Sequence, residues 1–345
     1  MPTPSRTISA IAALAVLALT ACTPTSDGEA TAASAEQPTR IVAVSSDVSD
    51  MALLLAGPDR MAAVSESSRS PHMGMLPDPA QQVEATIPAG VEPDVEQILS
   101  HSPDLVLTTA RHAGERTAGD QLADAGVESL ALSSDDFATP EAYADTLLRV
   151  GEALGEEDEA TKQADALLEG IQEIDAEAAQ TPAAGDTPAA GASSDAEAGQ
   201  TPAAADPSAA GDSSGAGEAP RVLALMARGG TVMAMDSGLM LPGLAVRAGA
   251  VDAAADAGLT GTAPLDAELL VKADPDIILL EDFMGAGEEP FAQLLEAAAV
   301  QRVPAVASGE VHVVPMTEAS AVAGIHLPDG YRTVAGIVSS ASAGD

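Results

Sequence analysis

Two stretches of the chain, residues 96–107 (EQILSHSPDLVL) and residues 268–279 (ELLVKADPDIIL), decide the fold. Both begin with glutamate, both carry a proline–aspartate pair that starts seven residues later, and they lie 172 residues apart. In each copy the apolar residues before the proline predict a short helix, the proline predicts a turn, and the apolar run after it predicts a buried strand. The repeat therefore predicts two halves of similar construction.

The glutamates that open the two copies, Glu96 and Glu268, need a separate explanation, because neither the helix nor the strand requires them. A glutamate in the first turn of a helix interacts favourably with the helix dipole, which accounts for either residue alone. Two glutamates at equivalent exposed positions predict a matched pair of acidic contact points, one on each half.

Outside the repeat, short apolar runs alternate with helical patterns along the chain. Such alternation is typical of parallel sheets covered by helices on both faces. The sequence therefore predicts an α/β protein with two Rossmann-like lobes and mainly parallel sheets. The predicted strands are residues 40–45, 61–65, 104–108 and 127–132 in the first lobe and residues 221–226, 231–235, 276–280 and 310–314 in the second.

A single long helix is predicted between the two halves. Thr139 is a favourable N-cap, Pro140 suits the first helical position, and Gly155 ends the helix. Its residues would span about 22 Å. A second, acidic helix is predicted to follow over residues 156–175.

The N-terminal segment predicts export and a lipid anchor. Residues 8–21 form an apolar run after Arg6, and this run is shorter than the bilayer span of about 20 residues and typical of an export signal. The segment Leu19-Thr20-Ala21-Cys22 resembles the lipobox of bacterial lipoproteins, which implies cleavage before Cys22 and lipid attachment to its sulfur. The alternative is a secreted protein in which this cysteine, the only one in the chain, is incidental.

A low-complexity stretch interrupts the chain between the lobes. Residues 181–220 contain no Leu, Ile, Val or aromatic residue, so ordering them would cost conformational entropy without burying apolar surface. The predicted organisation is a signal peptide (1–21), a flexible tether (22–39), an N-terminal lobe (40–138), the interdomain helix and the helix after it (139–175), a disordered insertion (176–220) and a C-terminal lobe (221–345).

Composition excludes several functions. The 53 acidic and 14 basic residues give a net charge of −39, which repels phosphate backbones and argues against nucleic-acid binding. One cysteine excludes a disulfide framework and a zinc site built on cysteines. The sequence has no G-x-S-x-G, H-E-x-x-H or P-loop motif, so we predict neither an enzyme nor a catalytic cofactor. The absence of Trp, with only two Tyr and three Phe, counts against a large flat ligand that stacks on aromatic rings.

The lipobox, the repeated motif and the single long helix together resemble the solute-binding lipoproteins of ABC importers for iron chelates, haem and cobalamin. The second half is most similar to the haem-binding branch, through Arg228-Gly229, Ser237-Gly238 and residues 248–252 and 310–314. The resemblance implies a ligand cleft between two lobes joined by one helix, with little closure. It also implies a lipid-anchored monomer on the extracytoplasmic face of the cell membrane, delivering its ligand to a permease whose arginines contact Glu96 and Glu268.

Ligand-binding side chains in such sheets come from the loops that follow the carboxyl ends of the strands. The candidates at these places are His72, Met73, Met75, Arg111, His112, Met233, Met235, Met284 and His326. Arg111 and His112 are favoured, because two cationic side chains after a buried strand suit the carboxylates of haem or of an anionic siderophore. The expected ligand is haem or a ferric siderophore, with cobalamin as an alternative.

The iron ligands that the resemblance implies are absent from the matching positions of this sequence. Haem-binding relatives use a histidine and a tyrosine, and the matching positions hold Val91 and either Met233 or Met235. Haem iron also accepts imidazole and thioether ligands. The substitutes that the sequence offers are His72, His112, His326 and Met233. The two methionines could equally fill a core that is poor in aromatic residues.

Two further interpretations remain open. Met73 and Met75 beside His72, together with Met233 and Met235, could form a soft thioether site for copper or another metal ion. The protein could also be a surface sensor or adhesion lipoprotein that uses the same fold with an altered cleft and takes no part in transport.

Overall fold

The N-terminal lobe is built on a sheet of five parallel strands, in a computed structural model that describes residues 37–180 and 219–342. In chain order the strands are β1 (Ile41–Ala43), β2 (Met61–Ser65), β3 (Thr86–Ile87), β4 (Leu105–Thr109) and β5 (Ser129–Leu132). They lie in the order β3-β2-β1-β4-β5, so the direction of winding reverses between β1 and β4. Ligands of open parallel sheets bind outside the carboxyl ends of the strands at such a reversal.

Helices accompany this sheet on both faces. They are α1 (Ser46–Ala56), α2 (Pro77–Gln82), α3 (Val95–Ser100) and α4 (Ala113–Asp124). Strands β1 and β4 are buried along their whole length. This burial on both faces explains why their sequences, IVA and LVLTT, show no alternation between apolar and charged residues.

Several sequence predictions lie outside the described residues, which begin at residue 37 and omit residues 181–218. The signal peptide, Cys22, most of the tether and most of the insertion belong to this group, and they stay predictions. Among the helices of the described part of the chain, none is both long and apolar enough to cross a bilayer.

Two successive helices follow the first lobe. Helix α5 (Pro140–Leu154) begins at Thr139, whose hydroxyl accepts a hydrogen bond from the Ala142 N–H at 3.1 Å. It ends at Gly155 in the left-handed conformation, φ 68°, as a glycine C-cap requires. Helix α6 (Glu157–Gln180) has 24 residues, and its length is about 36 Å.

The C-terminal lobe repeats the plan of the first. Its strands are β6 (Arg221–Arg228), β7 (Thr231–Met235), β8 (Val251–Asp252), β9 (Thr262–Pro264), β10 (Ile277–Asp282) and β11 (Val311–Pro315). The order β11-β10-β6-β7-β9 matches β5-β4-β1-β2-β3 of the first lobe position by position. The main difference is β7, which runs antiparallel to β6. Gly229 and Gly230, at φ 58° and 80°, join these two strands in a two-residue hairpin, a turn that needs positive φ at both positions.

The helices of the second lobe are mostly short. They are α7 (Met240–Arg247), α8 (Ala253–Asp256), α9 (Ala267–Ala273), α10 (Ala292–Leu295), α11 (Pro304–Ser308), α12 (Met316–Ala319) and α13 (Leu327–Ser342). Helix α9 lies between β9 and β10, as α3 lies between β3 and β4. The repeated sequence motif therefore occupies equivalent places in the two lobes.

The aspartate of the repeated proline–aspartate pair has a structural role in the first lobe. The Asp104 carboxylate accepts hydrogen bonds from the backbone N–H groups of Thr39 and Arg40, at 2.9 and 3.0 Å, where β1 begins. The Arg40 guanidinium donates in return to the carbonyls of His101 and Ser102, which lie in the turn before β4. We call this arrangement the arginine–aspartate clasp.

The second lobe contains the same clasp. Asp276 accepts a hydrogen bond from the backbone N–H of Arg221 at 2.9 Å, and the Arg221 guanidinium donates to the carbonyls of Ala273 and Asp274 at 3.0 and 3.3 Å. The turn residue before the proline has positive φ in both lobes, 49° at Ser102 and 44° at Asp274. The repeated sequence thus forms the same set of hydrogen bonds in both lobes, and this set joins the two central strands of each sheet.

The longer of the two helices between the lobes is α6, which directly follows the helix that begins at Thr139. At one end α6 packs on α5, where a Cβ added to Gly151 would lie 2.3 Å from the Cβ of Ala160. Farther along, Gly170 packs on Pro328 of α13, and Asp175 accepts a hydrogen bond from the Tyr331 hydroxyl at 2.6 Å. Helix α5 packs on α6 and on α1 of the first lobe, and its Glu141 forms an ion pair with Arg247 of α7 in the second lobe.

The lobes share one apolar core. A single cluster of buried side chains runs from β1 through α5 and α6 to α13 and includes Ile41, Leu147, Ile171, Val222 and Val334. Smaller clusters lie on the outer face of each sheet. Because the main core is continuous, the joint between the lobes is packed like a protein interior.

Helix α13 offers a test of this packing. A Cβ at Gly330 would lie 1.9 Å from the carbonyl oxygen of Glu318, whereas Gly336 of the same helix has open space around it. We expect Gly330→Ala to lower the free energy of unfolding by about 2 kcal/mol or more. The matched variant Gly336→Ala should raise it by about 0.5–1 kcal/mol, because alanine is the better helix former. Urea denaturation measures both values, and equal effects of the two variants would contradict the packing described.

Candidate ligand-binding cleft

A cleft of about 220 Å³ lies where the carboxyl ends of the central strands of both lobes meet. Its wall combines charged and apolar side chains. The first lobe contributes Arg111, Ser134 and Phe137, and the second contributes Met226, Arg228, Met235, Met240, Glu281, Met316 and Ser320 together with small and aliphatic neighbours. The volume is below the usual 300–1,000 Å³ of small-molecule sites, so a larger ligand would extend out of the mouth.

The first lobe places an arginine–carboxylate pair at its strand reversal. Arg111 follows β4, and its Nη2 donates to Oδ2 of Asp47, which lies in the first turn of α1 after β1. The Asp47 side chain is only 2% exposed. The guanidinium also lies over the Phe137 ring, 4.7 Å from its centre, a favourable cation–π geometry. Arg111 Nε is buried and has no hydrogen-bond acceptor within the described residues.

The second lobe places a similar pair at its own reversal. Arg228 is the last residue of β6, and its Nη2 donates to Oε2 of Glu281 in β10 at 3.1 Å. The other oxygen of Glu281 accepts a hydrogen bond from the Ser320 hydroxyl at 2.7 Å. The Arg228 guanidinium stacks on the ring of Phe283, with 3.8 Å between the guanidinium carbon and the ring centre.

The two pairs are reciprocal. Strand β1 corresponds to β6, and β4 corresponds to β10. In the first lobe the acid follows β1 and the arginine follows β4, whereas in the second lobe the arginine ends β6 and the acid lies near the end of β10. Each lobe thus directs toward the cleft a guanidinium that a buried carboxylate holds in place. A guanidinium has five N–H donors, so each retains donors for a ligand carboxylate.

Methionines form the apolar wall beside these charges. Met226, Met235, Met240 and Met316 line the cleft, and the last three are buried. Met226 and Met235 share one face of the β6–β7 ladder, because they pair with Met233 and Ala224 respectively. Unbranched thioether side chains adapt to irregular surfaces and make favourable contacts with aromatic rings. They can contact a conjugated ligand in a protein that has few aromatic residues of its own.

The structure brings some of the sequence candidates into the cleft and leaves others outside it. Arg111 and Met235 line the cleft. Met233 lies on the same face of the ladder but is not among the lining residues. Met75 is 7% exposed, and its sulfur accepts a hydrogen bond from the Ile325 N–H at 3.3 Å, so it belongs to the contact between lobes. Met73, two residues before Met75, is half-buried and does not line the cleft.

The three candidate histidines also lie outside the lining. The His72 ring rests on Gly285 of the opposite lobe, where an added Cβ would lie 2.7 Å from His72 Cε1. Beside that glycine, Met284 is 58% exposed at φ 65°. His112 is exposed at the N-terminus of α4, and its backbone N–H donates to Glu115 at 2.8 Å. His326 is exposed as well.

Sequence reasoning missed several residues of the site. Asp47, Glu281 and Phe137 were not candidates, and Arg228 entered only as part of a family motif. The available signal was a charged residue at the end of an apolar strand, as in RVLALMAR and IILLED. A charged side chain at the end of a buried strand needs a bound ligand or a buried side chain as its partner.

The acidic residues Glu96 and Glu268 have matching local geometry on the two lobes. Each is the second residue of its helix, α3 or α9, and each follows an aspartate N-cap. Asp94 accepts hydrogen bonds from the N–H of Glu96 at 3.0 Å, and Asp266 does so from the N–H of Glu268 at 3.0 Å. Because the aspartates cap the helices, the exposed glutamates are not needed as caps.

Two α/β lobes joined by one long helix, with charged side chains from both lobes meeting in a cleft between them, define a solute-binding protein. The family model described as Periplasmic binding protein matches residues 41–317, and the chain belongs to that family. Its members are extracytoplasmic solute-binding proteins rather than enzymes. No protein with a curated description matches the sequence.

Solved structures share the fold at low sequence identity. The periplasmic haem-binding protein RhuT of Roseiflexus sp. RS-1, in its apo form, is 18% identical with a TM-score of 0.65 over 88% of this chain and 98% of that chain. The vitamin B12-binding protein BtuF of Vibrio cholerae is 15% identical with a TM-score of 0.64 over the same shares. An ABC transporter substrate-binding protein of Listeria monocytogenes EGD-e is 19% identical with a TM-score of 0.62, again over 88% and 98%.

A buried acid supports the contact between the lobes. Asp50 of α1 is 1% exposed, and burial raises its pKa to about 7 although the N–H groups of Met75 and Leu76 donate to its carboxylate at 2.7 and 3.2 Å. The charge of nearby Asp47 raises the pKa further. The carboxyl of Asp50 thus holds the turn from which Met75 contacts the second lobe.

This environment predicts a pH-dependent effect on stability. A carboxyl whose pKa is raised in the folded state favours folding less as the pH rises from its unfolded pKa through its folded pKa. The Asp50→Asn variant, which never ionises, should therefore gain stability relative to the wild type by about 2 kcal/mol between pH 5 and pH 8. Urea denaturation at both pH values measures the difference.

Asp104→Asn is the control for this measurement. Burial opposes the shift, but hydrogen bonds from Thr39 and Arg40 lower the pKa of Asp104 below its usual value, so this residue titrates below pH 5. The stability difference between Asp104→Asn and the wild type should be the same at pH 5 and pH 8. A pH-independent difference for Asp50→Asn would contradict the raised pKa.

Proposed function

We propose that this protein is an extracytoplasmic solute-binding lipoprotein that captures an iron-containing chelate and delivers it to the permease of an ABC importer. The observation that carries the proposal is the pair of guanidinium groups, Arg111 and Arg228, which face one cleft from opposite lobes. A ligand that contacts both must carry two anionic groups or one large anionic edge. Such a ligand would hold the lobes together through charge-assisted hydrogen bonds.

Haem is the chelate that suits this cleft best. It combines two carboxylates with a flat conjugated ring, and the cleft combines two arginines with a methionine wall. A ferric siderophore with carboxylates on an apolar body is the next candidate. A corrinoid, whose rim carries mostly neutral amides, makes less use of two guanidinium groups.

The copper alternative has no supporting observation in the structure. Its candidate ligands are His72, Met73, Met75, Met233 and Met235; of these only Met235 lines the cleft, and the sulfur of Met75 accepts a hydrogen bond from the backbone N–H of Ile325.

Delivery to a permease is supported by the equivalent positions of Glu96 and Glu268. Both carboxylates are exposed, and each belongs to the second residue of the equivalent helix of its lobe. Two separated acidic contacts would set the orientation of the protein as well as its affinity. We further propose that Cys22, outside the described residues, carries the lipid that keeps the monomeric protein near its permease.

The arginines give a direct test with haemin as the probe. Arg111→Gln and Arg228→Gln keep a donor for Asp47 and Glu281 but remove the guanidinium, and each should weaken haemin binding about tenfold or more. The Soret absorbance measures the affinity. The control Arg302→Gln, on an exposed residue outside the cleft lining, should bind as the wild type does. Full affinity in both cleft variants would refute the proposed site.

The glutamates test the transport step separately. Glu96→Lys combined with Glu268→Lys should leave haemin affinity unchanged and reduce haemin uptake by cells of the source organism about tenfold or more, because like charges would then face the permease arginines. The control pair Glu128→Lys and Glu169→Lys changes the same net charge at exposed positions elsewhere. Normal uptake by the first pair would favour a sensor or adhesion function.

A further inference from the structure

The polar groups of the cleft are unsuited to binding a metal ion directly. Arg111 and Arg228 are cationic, and both oxygens of Glu281 are engaged, one by Arg228 and the other by Ser320. Among the described residues that line the cleft there is no His, Tyr or Cys. The remaining polar side chains are hydroxyls, which are weak ligands for ferric iron unless they ionise.

The three candidate histidines lie outside the lining of the cleft. His72 rests on Gly285, and His112 and His326 are exposed outside the lining. Val91 occupies the position at which haem-binding relatives have a histidine. Its carbonyl oxygen lies against the first turn of α4, 2.5 Å from a Cβ added to Gly114. The loop that contains Val91 therefore fits closely against the helix that follows Arg111.

The methionine sulfurs of the cleft serve better as a contact surface than as ligands. Met235 and Met240 are 3% and 4% exposed and belong to the continuous core of the two lobes. A neutral thioether is a soft ligand that suits copper(I) more than ferric iron, and in haem proteins it acts together with a histidine. No histidine lines this cleft among the described residues.

These observations point to one conclusion about the mode of recognition, which rests on the proposed function. We infer that the cleft recognises the organic part of its ligand, through two arginine–carboxylate contacts and a thioether wall, and forms no bond to the metal. The site is therefore selective for a carboxylated conjugated ring and indifferent to the ion at its centre. A metal-free or zinc-containing porphyrin dicarboxylate would be bound as haemin is.

The test compares four probes on the full-length mature protein: haemin, zinc protoporphyrin, metal-free protoporphyrin and protoporphyrin dimethyl ester. The first three should bind with dissociation constants within about threefold of one another, and the ester should bind about tenfold more weakly or worse, because it lacks both carboxylates. A loss of tenfold or more on removing iron would overturn the inference. If haemin itself does not bind, the choice of haem in the proposed function fails, which is a different result.

Substitutions at Met235 sharpen this comparison. Met235→Leu conserves volume but removes the thioether from the cleft wall, so it should change the affinities for haemin and for metal-free protoporphyrin by the same factor, to within about threefold. Met235→His places an imidazole in the cleft and should create a preference of about tenfold or more for haemin over the metal-free ring. Selective loss of haemin binding in Met235→Leu would show that the thioether binds iron and would overturn the inference. Circular dichroism checks folding, and the same exchanges at Met226 replace any variant that does not fold.

Discussion

In each lobe an arginine where one central strand begins and an aspartate just before the other central strand are linked by hydrogen bonds: the aspartate carboxylate accepts from the arginine's backbone N–H, and the guanidinium donates to carbonyls of the turn before the aspartate. Arg40 with Asp104, and Arg221 with Asp276, join the amino ends of the two central strands by hydrogen bonds to the intervening turn. Because the clasp ties the backbone at the start of one central strand to the turn before the other, it fixes where the two strands begin relative to each other. It therefore also determines where their carboxyl ends lie, and those ends carry the charges of the cleft.

The reciprocal arginine–carboxylate pairs show how a cleft can present cations without being strongly charged. Asp47 and Glu281 are almost fully buried, and each would be costly to bury without its arginine. The same contacts restrict the guanidinium groups to a few orientations. Ligand binding then costs less conformational entropy in the arginine side chains, which is the advantage of a preformed site.

The architecture could be predicted because it depends on local signals that occur twice: proline in a turn, apolar runs in strands, and glycine at helix ends. The ends of α5 could be predicted because Thr139 and Gly155 are strong capping residues, while the full length of α6 depends on packing at Gly151 and Gly170 that sequence spacing does not show. Arg111 could be found because it follows a strand. The three histidines also follow predicted elements, but the side to which a loop folds depends on contacts distant in the chain, such as that of His72 with Gly285.

The continuous core has a consequence for the evolution of this molecule. Side chains from both lobes and from α6 pack in one cluster, so neither half could be exchanged for the corresponding half of a relative without repacking the joint. New ligand preferences would then arise through point substitutions along the strand ends, such as the methionines at positions 226 and 235, and not through recombination of whole lobes.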